Sequence, residues 1–180
     1  AREELDRLTT TVQRMLEFYR PAAVERRPAD VHDLIDRVVR LLHREMEQHN
    51  VRLHLDLAQN LPHPPIVRDQ IQQVLLNLVL NAMEAMPAGG DLRIETRYNE
   101  DEVLVSVQDS GPGVPPEVQP HIFDPFFSTK ESGSGLGLTV CDGVITAHGG
   151  RLELLPQEKG ACFRFTLPLN PPSPQPEMQM

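Results

Sequence analysis

The stretch Asn77-Leu-Val-Leu-Asn81-Ala-Met-Glu84-Ala-Met86 is the first of four short motifs that together decide the fold of this chain. The other three follow in order: Asp109-Ser-Gly111-Pro-Gly113-Val114, Ile122-Phe-Asp-Pro-Phe-Phe127 and Gly133-Ser-Gly135-Leu-Gly137-Leu138. Each motif alone is weak evidence, because glycine-rich loops are common and amides on helices usually face water. The informative feature is that all four occur together in this order.

The regular elements around these motifs follow an order that predicts an α+β fold. Asp30 is placed to cap a helix, and the residues expected on its buried face are Val31, Leu34, Ile35, Val38, Leu41 and Leu42. A strand with one wet face follows at residues 51–57, then a helix from Asp69 to about Met86, strands at 92–98 and 103–108, a helix from Leu136 to about Ala147, and strands at 152–155 and 162–167. We therefore predict a two-layer sandwich in which helices cover one face of a sheet.

Three segments are expected along the chain: residues 1–27, 28–169 and 170–180. In the first, apolar residues recur at helical spacing until Pro21 ends the helix, at Leu5, Leu8, Val12, Met15 and Tyr19. This stripe suits the seam of a helical dimer or bundle, although a helix packed on its own domain would also carry it. Arg26-Arg-Pro-Ala29 is interpreted as a linker, and the proline-rich tail after Asn170 is expected to be disordered.

Composition and charge limit the function classes. A formal net charge of −9 argues against a nucleic-acid surface, so the phosphates of a bound nucleotide would need backbone amides and a cation to neutralise them. No apolar run reaches the length of a membrane span, and no signal peptide is visible. Cys141 and Cys162 lie in apolar periodic segments and are expected to be small buried hydrophobes rather than a disulfide. A reduced, cytoplasmic location is therefore expected.

Asn77, Asn81 and Glu84 are spaced at i, i+4 and i+7, which places them on one face of the predicted helix. Two amides and a carboxylate are costly to bury unpaired, and a hydrated Mg²⁺ ion that bridges phosphates would satisfy them. A solvated helix face is the alternative for this motif taken alone. The residues expected on the opposite, core-facing side are Val74, Leu75, Leu78 and Met86.

Asp109 ends a predicted strand just before a glycine-rich turn. A carboxylate there can accept a hydrogen bond from an adenine amino group, while Gly111 and Gly113 let the backbone approach the ring closely. Taken alone, Asp-Ser-Gly-Pro-Gly would be only a turn.

The glycine run at residues 133–137 leads into a helix, whose amino end offers backbone amides and a positive dipole to phosphate. The run lacks the Gly-Lys-Ser/Thr ending of a P-loop, and no strand runs directly into it, so neither P-loop nor dinucleotide-binding folds fit. Lys130 lies in the long loop between Ser110 and Gly135, and connections of this length are usually either functional lids or disordered. Its flexible ammonium either reaches the terminal phosphate or is solvated.

In this order the four motifs resemble the ATP-binding domain of sensor histidine kinases, whose wider group includes gyrase-type and heat-shock chaperone ATPases and shares the Bergerat fold. The resemblance covers about residues 1–169, is strongest over 69–168, and is nearest to nitrogen-regulation-type kinases. It implies ATP and Mg²⁺ as ligands, with Mg²⁺ on Asn81, adenine selection by Asp109 and an apolar contact of Ile122 with the adenine plane. The residues that it assigns to ATP are Asn77, Asn81, Glu84, Asp109, Gly111, Gly113, Ile122, Lys130, Ser134, Gly135, Leu136, Gly137 and Leu138. The residues expected to anchor the lid to the core are Phe123, Phe126 and Phe127.

Position 77 separates branches within that wider group. Its gyrase-like and chaperone members carry a water-activating glutamate there, and an amide cannot accept a proton at neutral pH. Asn77 and Lys130 are therefore the implied catalytic residues of a phosphoryl transfer to a protein rather than of ATP hydrolysis. Glu84 departs from the basic residue that many kinases carry, and it either reaches the metal indirectly or faces water.

The resemblance also implies parts that this sequence does not contain. None of the seven histidines lies in the acidic-histidine motif that receives phosphate, so the receiving helix is expected upstream of Ala1. Leu16-Glu-Phe-Tyr-Arg-Pro21 resembles the second helix of the dimerisation hairpin, which implies a homodimer that finally passes phosphate to a response-regulator aspartate. Two alternatives stay open: a serine kinase of the anti-sigma-factor type with the same fold, and a nucleotide-responsive dimerisation module without catalysis. Contacts with nucleic acid or membrane are not expected.

Overall fold

Three α-helices and seven strands form the part of the chain that the computed structural model describes, residues 25–129 and 135–171. The helices are α1 (Val31–Gln48), α2 (Arg68–Glu84) and α3 (Gly137–Ala147). The strands are β1 (Arg27–Pro28), β2 (Val51–Asp56), β3 (Pro65–Ile66), β4 (Gly90–Tyr98), β5 (Glu102–Asp109), β6 (Leu152–Leu155) and β7 (Cys162–Pro168). None of the described helices combines the length and apolar character needed to cross a membrane. The predicted N-terminal helix and the tail from residue 172 lie outside the described residues.

The main sheet has the strand order β2-β4-β5-β7-β6. β2 runs parallel to β4, which requires a crossover that α2 supplies, and the other neighbours are antiparallel. Along β5, Val103, Val105 and Val107 are buried against the helices, while Gln108 lies on the other face. A mixed sheet packed against helices on one face confirms the predicted α+β sandwich.

Helix α1 begins where the sequence predicts it. The side chain of Asp30 accepts a hydrogen bond from the amide of His32 at 2.8 Å and so caps the first turn. The expectation for Leu41 is wrong, because this side chain is 60% exposed. Val38 and Leu42 fill the stripe that meets the rest of the core, and position 41 lies beside that stripe.

The segment expected to be a linker is instead strand β1. Arg27 pairs antiparallel with Ile66, and Pro28 pairs with Pro65, so the proline-rich break around residues 61–65 ends in strand β3. A two-residue strand that contains proline is too short to show the alternation of apolar and polar residues that marks a strand. The sequence pattern therefore does not predict β1 and β3. Helix α2 also starts at Arg68 rather than at the predicted Asp69, without a side-chain cap.

His148 ties the end of α3 to the start of α2. Its Nδ1 donates to the carbonyl oxygen of Val144 at 2.7 Å, and its Nε2 accepts from the amide of Val67 at 3.1 Å. The residue is 2% exposed. Burial lowers the pKa of His148, and although the Val144 hydrogen bond opposes this shift, the charge of Arg26 adds to it. The end of α3 at His148 is therefore a clamp between two helices.

We expect acid to weaken this clamp. A histidine with a lowered pKa stays neutral in the folded chain but binds a proton when unfolded. Its stabilising effect is therefore present above the ordinary value of 6.5 and is lost as the pH falls below it. The free energy of unfolding in urea, measured at about pH 7.5 and about pH 5.5, should fall more for the unchanged chain than for His148→Gln. Equal losses in both proteins would contradict this assignment.

Candidate functional site

The asparagine face of α2 lies beside α3. Asn77 and Asn81 are half-buried, and Glu84 is exposed. The Nδ2 of Asn77 donates to the Sγ of Cys141 on α3 at 3.6 Å, and the Oδ1 of Asn77 accepts from the Nε2 of Gln73 at 3.1 Å. The side chains expected on the core-facing side are buried, which confirms that prediction: Val74, Leu75, Leu78 and Met86.

Asp109 ends β5 with its carboxylate held by backbone amides. Its Oδ1 accepts from the amide of Gly111 at 2.8 Å and from that of Ala161 at 3.3 Å, whereas no described donor bonds to its Oδ2. The residue is 5% exposed. Burial raises the pKa of this carboxyl, although hydrogen bonds from the backbone amides of Gly111, Ala161 and Asp109 itself oppose the shift. A nearly buried carboxylate oxygen in this position is suited to a donor from a ligand.

Two glycines next to Asp109 allow backbone contacts that a side chain would block. A Cβ on Gly111 would lie 2.8 Å from the carbonyl oxygen of Ala85, so the loop after β5 passes close to the end of α2. A Cβ on Gly160 would lie 1.9 Å from the carbonyl oxygen of Asp109, and its φ of +77° also favours glycine. The sequence does not reveal the role of Ala161, because a backbone amide leaves no side-chain signal.

The lid is anchored to the core by Phe123. Its ring meets that of Phe163 edge to face, with 6.5 Å between the centroids. The Oγ1 of Thr139 donates to the carbonyl oxygen of Phe123 at 3.1 Å, which joins the lid to α3. Ile122, the residue expected against the adenine plane, is buried in the apolar core.

Phe126 does not have the anchoring role expected of it. Its side chain is 77% exposed, and its φ of +64° is a left-handed conformation that non-glycine residues rarely adopt. The amide of Phe126 donates a hydrogen bond to the carbonyl oxygen of Gly135 at 3.1 Å, so the backbone at Phe126 lies against the start of the segment that leads into α3. Phe127 is half-buried, and its ring lies beside that of His121 at 5.7 Å.

The glycine run ends at the amino end of α3. Gly137 is its first helical residue, Leu136 is the N-cap, and no side chain caps the helix. Gly135 has a φ of +67°, and a Cβ there would lie 2.4 Å from the carbonyl carbon of Phe126. Gly135, Leu136, Gly137 and Leu138 are all half-buried. Lys130 and Ser134 lie outside the described residues, so their roles stay predictions.

These contacts bring parts of all four motifs together around α2, α3 and the end of β5. Asn77 reaches α3, Gly111 reaches the end of α2, and the lid joins α3 through Thr139. A separate groove of about 110 Å³ on the other face of the sheet, between Arg93 and Arg164, contains none of the predicted site residues.

Comparison with known proteins gives a consistent family. A family model described as "Histidine kinase-, DNA gyrase B-, and HSP90-like ATPase" matches residues 66–171. The signal transduction histidine-protein kinase AtoS of Escherichia coli (strain K12) is 36% identical, over 94% of this chain and 28% of AtoS. The sensory histidine kinase/phosphatase NtrB of Rhizobium leguminosarum bv. phaseoli is also 36% identical, over 92% of this chain and 47% of NtrB. The chain thus spans less than half the length of these curated relatives.

Solved structures agree with this result. The catalytic domain of histidine kinase ThkA is 34% identical, with a TM-score of 0.74 over 81% of this chain and 96% of that domain. ThkA in complex with the response regulator protein TrrA gives a TM-score of 0.79 at 34% identity, over 94% of this chain and 49% of ThkA. Full-length ShkA in complex with AMPPNP gives 0.77 at 30% identity, over 92% of this chain and 36% of ShkA. The chain belongs to the histidine kinase-, DNA gyrase B- and HSP90-like ATPase family, as a catalytic domain of the sensor histidine kinase type.

Proposed function

We propose that this chain binds ATP with Mg²⁺ and transfers the γ-phosphoryl group to a histidine of a sensor histidine kinase. The observation that carries the proposal is the carboxylate of Asp109, which is nearly buried and keeps its Oδ2 clear of described donors. The AMPPNP held by the related ShkA supports ATP as the nucleotide. The similarity to NtrB supports a kinase of the nitrogen-regulation type.

The way in which Asp109 is held supports a role in adenine recognition. The amides of Gly111 and Ala161 fix Oδ1, so Oδ2 is the oxygen left to accept a hydrogen bond from the exocyclic amino group of adenine. A purine with a carbonyl oxygen at that position would face another acceptor and would be disfavoured. Gly111 and Gly113 keep the neighbouring backbone clear of side chains, and Ile122 would contact the adenine plane.

The side-chain oxygen of Asn81 on α2 is a ligand type that Mg²⁺ accepts. A bound Mg²⁺ ion would supply positive charge that neutralises the phosphates of ATP. The residue that would hold it is Asn81, whose half-buried amide lies one turn beyond Asn77. Glu84 is exposed on the next turn and would reach the ion through water. The chain has a formal net charge of −9, so local neutralisation of the phosphates is needed for binding.

The transfer itself depends on placement and charge rather than on a general base at position 77. An imidazole nitrogen of the acceptor histidine attacks the γ-phosphorus, the bond to the oxygen of ADP breaks as the new phosphorus–nitrogen bond forms, and the nitrogen gives up its proton to solvent. Asn77 cannot activate water because its amide does not accept a proton. Lys130, Ser134 and the amides at residues 135–138 would hold the phosphates.

The partners proposed here are a second copy of the chain and a response regulator. Residues 1–27 would supply the second helix of a dimerisation hairpin and thus a homodimer, residues 28–169 would be the catalytic domain, and residues 170–180 a disordered tail. A response-regulator aspartate would receive the phosphate last, as the complex of ThkA with the response regulator protein TrrA supports. We place this domain in the cytoplasm, without nucleic-acid or membrane contacts.

Transfer to an added acceptor tests this function. We expect that mixing the chain with a fragment that bears a dimerisation hairpin and its histidine, plus radiolabelled ATP, puts label on the fragment. The label should be lost in acid and kept in base, as a phosphohistidine requires. Acid-stable label on serine would instead favour a kinase of the anti-sigma-factor type. ATP binding without any transfer would favour the non-catalytic dimerisation module, and either result would contradict the proposal.

A further inference from the structure

Cys141 connects α3 to two groups on α2. The residue is 0% exposed, and its thiol lies against the turn of α2 that carries Asn77. The Sγ accepts a hydrogen bond from the Nδ2 of Asn77 at 3.6 Å, and the thiol donates toward the carbonyl oxygen of Val74 at 4.0 Å. Thiols make weak hydrogen bonds at such distances, so the pair of contacts orients the thiol between the two helices.

The carboxamide of Asn77 is therefore held at both ends. Gln73, one turn earlier on α2, donates its Nε2 to the Oδ1 of Asn77 at 3.1 Å. An amide has two N–H donors and one carbonyl oxygen, and the sulfur of Cys141 takes one of the donors. The oxygen of Asn77 thus faces Gln73 within the helix, whereas its second N–H has no partner among the described residues and can be presented to a ligand.

We infer that Cys141 is a positioning residue for Asn77: its sulfur fixes the carboxamide so that an N–H donor, and not the oxygen, is presented to the phosphates of ATP. This inference rests on the proposed ATP binding. It separates the roles of the two asparagines, because Asn81 has no side-chain hydrogen bond among the described residues and keeps its oxygen for Mg²⁺. Without the sulfur, only the hydrogen bond from Gln73 would orient the carboxamide, whose terminal torsion is intrinsically broad, so the N–H donor would be held less firmly.

The state of the thiol supports this role. Burial raises the pKa of Cys141 to about 12, so the thiol stays protonated and keeps its donor for Val74 at neutral pH. Asp142 adds to this shift, and the hydrogen bond from Asn77 opposes it.

The test is a double-mutant cycle between positions 77 and 141, with the affinity for ATP and Mg²⁺ measured by calorimetry. Cys141→Val keeps an apolar side chain of similar size but removes the acceptor, and should weaken binding about three- to tenfold. Cys141→Ser keeps an acceptor and should restore part of the loss. In an Asn77→Ala background, Cys141→Val should cause no further loss. Cys162→Val is the matched control, since it removes the other buried cysteine, on β7.

Nuclear magnetic resonance of the side-chain amide of Asn77 separates orientation from simple packing. Without nucleotide, Cys141→Val should shift one of its two Nδ2 proton signals and speed its exchange, while Cys162→Val should leave both unchanged. The inference is overturned if both signals stay in place, or if the loss of affinity is as large in the Asn77→Ala background. A failure of the unchanged chain to bind ATP would overturn the proposed function, and with it the assignment of the Asn77 donor to phosphates.

Discussion

Replacing Asp109 with asparagine should weaken ATP binding about 10- to 100-fold, because a hydrogen bond to a charged acceptor is lost. The amides of Gly111 and Ala161 are fixed donors, so the asparagine oxygen must take the place of Oδ1. The NH₂ group of the asparagine then takes the place of Oδ2 and faces the amino group of adenine. Both groups are hydrogen-bond donors, so no hydrogen bond can form between them. Calorimetric titration with ATP and Mg²⁺ measures the loss.

The same variant should change the choice of base. Inosine carries a carbonyl oxygen where adenine carries its amino group, so the affinity for ITP relative to ATP should rise in Asp109→Asn. Folding should be retained, because burial already disfavours the charged form of Asp109, as the raised pKa of its carboxyl reflects. Asp101→Asn, at the exposed β4–β5 turn, is the control and should change neither affinity. If Asp109→Asn keeps the ratio of ITP to ATP affinity of the unchanged chain, Asp109 does not contact the adenine base.

Replacing Asn81 with alanine should remove the effect of Mg²⁺ on ATP affinity. The unchanged chain should bind ATP more tightly with Mg²⁺ than with a chelator, whereas Asn81→Ala should bind equally in both. The expected loss in the presence of Mg²⁺ is about 10- to 100-fold, the range found when groups that support a metal site are removed. Calorimetry under the two conditions measures it.

A change elsewhere on the same helix controls for damage to α2. Gln72→Ala removes a half-buried amide outside the asparagine face and should keep the full dependence on Mg²⁺. Thermal unfolding should show that both variants fold. If Asn81→Ala still binds more tightly with Mg²⁺, another oxygen holds the ion and the roles assigned to α2 must be revised.

Local chemistry made much of the fold predictable. Asp30 caps α1 as its sequence position indicates, and β6 has the predicted bounds. The β4–β5 turn forms at Asn99, whose Oδ1 accepts from the amides of Asp101 at 2.8 Å and Glu102 at 2.9 Å. Each of these features depends on residues that are neighbours in the sequence, so a short window contains the cause.

Contacts between distant positions were not predictable in the same way. The support of Asp109 comes from the backbone of Ala161, and that of Asn77 comes from the thiol of Cys141. The residue types of Ala161 and Cys141 do not reveal these roles. The exposure of Phe126 also depends on where Gly135 meets it, which no pattern of apolar residues contains.

Gly160 and Ala161 contact Asp109 but follow it by about fifty residues in the sequence, so they are synthesised later. A ribosome completes the nucleotide motif of β5 well before it makes the hairpin of β6 and β7. Until β7 docks on β5, a nascent chain has the amide of Gly111 but lacks that of Ala161, the second donor to Oδ1 of Asp109. With the proposed role of Asp109 in adenine binding, ATP would stabilise completed domains by mass action and would leave truncated chains without that protection.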